Sequence, residues 1–287
     1  MKPFLKWVGG KTQIIAQVMD AFPEEVGDYH EPFLGGGSVL LECLASGRVK
    51  GTVYASDVNP HLIGLYKHIQ SDPDNLIQEV QVLVKEFSEC TGSDVNREAK
   101  TREQATSPES YYFWTRMKFN SCEDGIKKSA MFLFLNKTCF RGVYREGPRG
   151  FNVPFGNYKN PKILDAEHIA NVSKLIQGVV FTACHFTESL ERVKPGDFVY
   201  LDPPYAPKDS KSFVSYTSAV FKLDDHALLF KTCKGLNFVM SNADVPLVKD
   251  EFPEPRFITN IISCRRAIHS KEPDSKTNEV LITSRAG

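Results

Sequence analysis

The strongest restriction on this chain is an alternation near its N-terminus of apolar run, turn and helical pattern. Gly27 to Phe33 leads into the turn Gly35-Gly36-Gly37 and then the helix-like SVLLECLAS. A second apolar run, Thr52 to Ser56, ends at Asp57, and Asn59-Pro60 opens the helical HLIGLYKHI. Such alternation predicts parallel strands joined by crossover helices. The same pattern resumes with VVFTACHF and DFVYLDPPY as strands, LDDHALLFKTC as a helix and NFVMSNA as a strand. An antiparallel pair, Phe257–Arg266 with Glu279–Ser284, is expected to close the sheet. The fold class is therefore α/β, a doubly wound, mostly parallel sheet with helices on both faces.

The middle of the chain reads differently. Helical periodicity in IQEVQVLVKEF gives way to a polar, loop-like stretch from Cys90 to Ser110, then to YYFWTRMKFN and AMFLFLNKT. The segment FRGVYREGPRGFNVPFGNY follows, rich in Gly, Pro and Arg, and reads as an ordered irregular loop or hairpin. We take 65–163 as an inserted helical subdomain and 1–64 with 164–287 as the sheet domain.

With 287 residues the chain is long enough for this arrangement. Its net charge of zero says nothing for nucleic acid, but the distribution does. Between Tyr111 and Asn160 there are nine Lys/Arg and three acids, which suits either a phosphate backbone or a solvated face. Seven scattered cysteines without C-x-x-C spacing point to reduced thiols in a cytoplasmic setting rather than zinc or disulfides. The seven histidines show no H-E-x-x-H pairing, so no metal is expected. No apolar run is long enough to span a membrane, and no secretory signal is read in MKPFLKWVGGK.

The sharpest motif is Asp202-Pro203-Pro204-Tyr205, placed where the strand FVYL ends. Ligands of α/β sheets lie at that end of the strands. An exocyclic base amine is a weak nucleophile because its lone pair is delocalised into the ring. The Asp202 carboxylate and the Pro203 carbonyl are two acceptors that draw the amine towards tetrahedral geometry. Pro204 stiffens the turn and Tyr205 offers a flat ring for an extruded base. The plainer alternative is a proline turn after a strand. Upstream, Glu31-Pro32-Phe33-Leu34-Gly35-Gly36-Gly37-Ser38 lets a ligand approach the backbone. Leu40 occupies the place of the third glycine of a dinucleotide fingerprint. Asp57, twenty residues past Gly37, is placed to accept from ribose hydroxyls. Together these suit an adenosyl cofactor without pyrophosphate, against the alternative of a generic tight turn. Gly10-Lys11-Thr12 is not a phosphate loop, since position 5 is Leu.

With FLKWVGGK, EPFLGGGS, SDVNP, LNKTCFRGVYREG, FNVPFGNY, DFVYLDPPYAP and NEVLI in this order, nearly the whole chain resembles the Dam-like family of DNA adenine-N6 methyltransferases (α group, D12 class). The resemblance implies a Rossmann-like S-adenosylmethionine-dependent methyltransferase sheet, with the insert as target-recognition subdomain. It implies a site-specific enzyme that moves methyl from S-adenosylmethionine to a flipped adenine in a short, palindromic double-stranded DNA sequence. By the same resemblance Asp202, Pro203, Pro204 and Tyr205 are catalytic. Trp7 and Lys11 take the cofactor's amino-acid end, and Glu31, Phe33, Gly35, Gly37, Ser38, Asp57, His185, Phe186 and Asp202 complete its binding set. Lys6, Asn136, Arg141, Val143, Tyr144 and Arg145 become DNA contacts, with Arg145 reading a guanine. Arg116, Arg265 and Arg266 are candidate phosphate contacts.

GATC-methylating members commonly carry Asn where this chain has Arg141, which opens targets such as CATG. The resemblance also leaves room for a cognate restriction endonuclease acting on the same site. Three rivals stay open: methylation of cytosine N4 or of an RNA adenine, a non-catalytic DNA-binding protein, and an NAD-dependent enzyme. D-P-P-Y and Leu40 weigh against them.

Overall fold

The computed structural model describes residues 1–206, 221–265 and 276–284. The chain divides into two compact units. One holds Met1–Gly10, Gly35–Leu41 and Asn59–Gln177; the other holds Lys11–Leu34, Glu42–Val58 and Gly178–Gly287. Helix α2 (Ser38–Ser46) begins in the first and ends in the second.

The second unit contains the sheet. Its strands are β1 (Tyr29–Glu31), β2 (Val53–Asp57), β5 (Val179–Ala183), β6 (Phe198–Leu201), β7 (Asn237–Ala243), β8 (Phe257–Arg265) and β9 (Lys276–Ser284), in the order β5-β2-β1-β6-β7-β9-β8. The first five in that order pair in parallel; β9 runs antiparallel to both β7 and β8. From β1 the chain winds outward through β2 to β5, then returns to β6 on β1's other side. The order therefore reverses between β1 and β6, which is where α/β sheets open a crevice at the carboxyl ends of their strands.

Every residue of β6 is buried, because this central strand is covered on both faces. Phe198 and Tyr200 meet the Phe22 ring at 4.8 and 5.7 Å, just past helix α1 (Ile15–Asp20). Val199 and Leu201 point the other way. They join Phe238 and Met240 of β7 and Val280 and Ile282 of β9 in one apolar cluster. Helices α8 (Phe186–Leu190), α9 (Leu223–Cys233) and α10 (Pro246–Lys249) close that face through Leu190, Leu229, Phe230 and Val248. The two-residue period of a strand thus feeds two cores.

The first unit is mainly helical: α3 (Pro60–Ser71), α4 (Pro73–Glu89), α5 (Pro108–Ser121), α6 (Ile126–Thr138) and α7 (Ala166–Leu175). Asn59, Asp72, Ser107 and Asp165 cap α3, α4, α5 and α7 by accepting first-turn N–H groups, and proline opens the first three. In α6, Phe132 to Asn136 are buried in succession, the mark of a helix surrounded by others. The stretch 90–107 is a loop with one 3-10 turn, Arg102–Gln104, tied to α4 by Arg102 Nη2 donating to the Glu86 carbonyl at 2.9 Å. β3 (Glu146–Gly147) and β4 (Gly150–Phe151) form a short antiparallel hairpin. No helix among the described residues is long and apolar enough to cross a membrane.

His226 in α9 supplies a pH test of this packing. It is 2 % exposed, and burial pushes its pKa down to about 4. Between that value and the unfolded value of about 6.5, the unfolded chain binds a proton that the folded one excludes. Stability is expected to fall as pH drops through this window, by up to about 3 kcal/mol. Urea unfolding of His226→Leu should show a flatter dependence from pH 7 to 5 than the parent.

Candidate active site

Asp202 follows β6 directly, at the switch point, and Lys11 follows the unit's first loop into a 3-10 turn, Lys11–Gln13. Lys11 is 3 % exposed, and its Nζ stands 2.7 Å from Asp202 Oδ2. Burial pushes the Asp202 carboxyl above the usual carboxylate range; the Lys11 ammonium pulls it down, and the Glu279 charge pushes it up again. The same ammonium lies 4.9 Å from the centre of the Tyr205 ring. Tyr205 Oη donates to Glu279 Oε2 at 2.7 Å, and Asn242 Oδ1 accepts the Ala206 N–H at 3.1 Å. The D-P-P-Y turn is thus held at its carboxylate, its ring and its trailing backbone.

Beside it, the end of β1 presents Glu31, buried and accepting from Tyr29 Oη at 2.7 Å. Phe33 packs on Phe186 and Phe221 at 5.6 and 5.8 Å. Phe186, 3 % exposed, belongs to the apolar cluster of that face. His185 stands at the N-cap of α8 without a side-chain bond to its backbone N–H groups; its Nδ1 pairs with Thr187 Oγ1 at 2.9 Å. Asp57 ends β2, and its carbonyl accepts the Cys184 N–H at 3.1 Å, so β2 and β5 deliver Asp57 and His185 to one edge.

In the helical unit, Gly35 and Gly37 have φ of +50° and +68°. A Cβ on Gly35 would meet the Trp7 ring at 2.9 Å, and one on Gly36 would meet Trp7 Cβ at 2.8 Å. Glycine here is thus required by conformation and by close approach. Ser38 is buried at the start of α2. Trp7 also stacks on Tyr144 at 6.2 Å with a 19° interplanar angle.

The residues expected at DNA fall into two groups. Asn136 and Tyr144 turn inward. Asn136, 6 % exposed, accepts the Lys6 N–H at 2.9 Å and donates to the Lys6 carbonyl at 2.7 Å. Tyr144 lies among Trp7, Phe132 and Phe151, with its hydroxyl on Glu146. Asn136 is thus satisfied within the protein, as a buried amide must be, while Tyr144 is half-buried and packs part of its ring against these neighbours.

Lys6, Arg141 and Arg145 are exposed, and Val143 is half-buried. Lys6 Nζ sits 4.0 Å over the Tyr158 ring, and the Arg141 N–H is accepted by Tyr158 Oη at 2.8 Å. Arg145 Nε donates to Asn152 Oδ1 at 2.6 Å across the hairpin. Half-buried Arg116 reaches the same hairpin, with Nη1 donating to the Val153 carbonyl at 3.0 Å. Arg265 is the last described residue of β8, and Arg266 lies outside the described residues.

Sequence reasoning missed Glu279, Asn242, Asn152 and Tyr158. Glu279 was read only as the start of the last strand, and nothing local ties it to Tyr205.

A mostly parallel sheet whose strand order reverses beside an acidic D-P-P-Y turn is of the Rossmann-like class that methyltransferases share. The family model for the D12 class N6 adenine-specific DNA methyltransferase matches residues 7–268. The chain belongs to this family, and it is an adenine-specific DNA methyltransferase. It is 41 % identical over 247 residues to the type II methyltransferase M.MjaIII of Methanocaldococcus jannaschii, covering 83 % of this chain and 81 % of that one. It is 29 % identical to the type II methyltransferase M1.LlaDCHI of Lactococcus lactis subsp. cremoris, covering 99 % and 95 %. To the DNA adenine methylase of Escherichia coli K12 it is 28 % identical, covering 98 % and 94 %.

The Asn136 clamp is testable by itself. Asn136→Ala removes both bonds to Lys6 and leaves buried backbone groups unpaired, at a cost of about 1–3 kcal/mol. Urea unfolding should show that loss, and Asn136→Asp, whose second carboxylate oxygen would face the Lys6 and Gly142 carbonyls, should not recover it.

Proposed function

We propose that the protein binds S-adenosylmethionine and methylates N6 of an adenine extruded from a short palindromic sequence in duplex DNA. The observation that carries this reading is the Asp202 turn, half-buried at the strand-order reversal and held by Lys11, Glu279 and Asn242.

The residues fit the methyl donor. The glycines at 35 and 36 have no room for a side chain beside Trp7, as a loop shaped for a flat ligand and close backbone requires. Asp57, at the end of β2, has the chemistry for ribose hydroxyls. We assign Trp7, Glu31, Phe33, Gly35, Gly37, Ser38, Asp57, His185 and Phe186 to holding the donor, which when bound supplies an electrophilic methyl group on a sulfonium. Lys11 we assign to the donor's amino-acid end as well, and in the structure its ammonium pairs with Asp202.

In this mechanism Asp202 Oδ and the Pro203 carbonyl accept the two N–H bonds of the adenine amine, freeing its lone pair. Pro204 keeps the turn from relaxing, and the Tyr205 ring stacks on the base. The carboxylate stabilises positive charge as it develops on nitrogen. Lys11 pulls the Asp202 carboxyl's pKa down against its burial and so favours the accepting anion. The surplus proton leaves to water.

Target recognition we assign to residues 65–163 together with Lys6. Arg145, fixed by Asn152, reads a guanine edge; Arg141, Val143 and Lys6 flank it, and Arg116, Arg265 and Arg266 meet phosphates. Asn136 and Tyr144 serve by shaping this surface from within. Arg141 favours a target other than GATC, such as CATG. The names of the type II relatives support a cognate restriction endonuclease sharing the site, with both acting in the cytoplasm where the DNA lies.

Treating plasmid with purified protein and S-adenosylmethionine, then sequencing single molecules for N6-methyladenine, tests the reading. One short palindrome should be modified throughout; label found in cytosine or RNA alone would overturn it. Asp202→Ala should keep DNA binding and abolish transfer. Lys11→Met removes the charge that lowers Asp202's pKa. The acid limb of its rate–pH profile should therefore move to higher pH.

A further inference from the structure

β9, opposite the Asp202 strand across β7, carries a glutamate whose side chain accepts a hydrogen bond from the D-P-P-Y turn. Glu279 pairs with Ala243 of β7 in the antiparallel ladder, and Tyr205 Oη donates to its Oε2 at 2.7 Å. The residue before Ala243 is Asn242, fully buried. Its Oδ1 accepts the N–H groups of Ala206 at 3.1 Å and of Ala243 at 2.8 Å. Two consecutive residues of the turn are therefore tied to the antiparallel edge, Tyr205 by its side chain and Ala206 by its backbone. A tyrosine ring attached only at Cβ is free to tilt, whereas one also anchored at Oη has its plane fixed from both ends.

We propose that Glu279 is a positioning residue for methyl transfer: by holding the Tyr205 hydroxyl, it fixes the ring plane against which the target adenine is stacked. This rests on the assignment of Tyr205 as the stacking surface. An amide would hold the hydroxyl equally well, so the carboxylate has a second effect. Its negative charge raises the Asp202 pKa against the pull of Lys11. Among the described residues the other titratable groups facing Asp202 are the phenols of Tyr200 and Tyr205, both kept neutral by burial.

The test is single-turnover transfer from S-adenosylmethionine to duplex DNA bearing the mapped target. Glu279→Ala should slow the step by about tenfold or more while donor and DNA dissociation constants stay within about twofold. Glu279→Gln keeps the acceptor and should recover most of the rate, and its acid limb should move to lower pH because the charge that raised Asp202 is gone. Tyr205→Phe should match Glu279→Ala, and the double variant should lose no more than either. With 2-aminopurine at the target position, emission should rise in Glu279→Ala as the flipped base loses its quenching ring.

A parental rate in Glu279→Ala, or losses that add in the double variant, would overturn the proposal. If Glu279→Ala does not fold, a parental rate in Tyr205→Phe does so instead. A parent protein that leaves duplex adenine unmethylated defeats the functional reading itself; a parent that methylates, with variants that keep pace, defeats only the role of Glu279.

Discussion

A half-buried carboxylate at the end of a central strand is favoured as an anion where a cation or hydrogen bonds replace the water it has lost. In this protein the Lys11 ammonium, 2.7 Å from Asp202, performs that service. Neither group is readily relaxed away. β6 is covered on both faces, so its last residue has one exit, and two prolines follow that limit the turn to a narrow set of conformations. Burial and Glu279 raise the carboxyl's pKa and Lys11 lowers it, a balance that leaves a strong acceptor poised where a substrate amine is to be gripped.

The helical unit solves a different problem, that of presenting charge outward from an irregular backbone. Loops without ladders need side chains to satisfy their polar groups. Asn136 does this for Lys6, and Asn120 does it for the hairpin by bonding both the N–H and the carbonyl of Phe151 at 2.9 Å. Gly142, at φ +65°, lets the chain pass where a Cβ would lie 2.4 Å from Lys6 Cβ. With the backbone fixed from inside, Arg141 and Arg145 are left exposed. The aromatic stack of Trp7 on Tyr144 links the glycine-loop residues of this unit to its hairpin by direct packing.

Much of this was legible in the chain. The alternation of apolar runs with Gly or Asp-ended turns gave β1, β2, β5, β6 and β7, because each strand's hydrophobicity and each turn's chemistry are local properties. Asn59 with its following proline marked a helix start for the same reason, whereas Ser107-Pro108, which opens α5, lay within the stretch read as a loop. The positions of Gly35 and Asp57 at strand ends also followed from spacing. Side-chain direction did not. Tyr144, in a segment rich in Arg and Gly, read as a surface residue, yet its ring is drawn into the cluster of Phe132 and Phe151, whose proximity no local pattern encodes. The Arg266 expectation lies outside the described residues.

The sequence alone thus determined which segments are strands and helices, where the glycine and D-P-P-Y turns stand on them, and which family the motif order resembles. All of these depend on neighbours along the chain. Only the tertiary structure decided the strand order that sets β1 beside β6, the pairing of Lys11 with Asp202, and the reach of Glu279 to Tyr205 from far along the chain. Those contacts join distant segments, and their partners are chosen by packing and by the need to compensate buried charge, which no window of sequence contains.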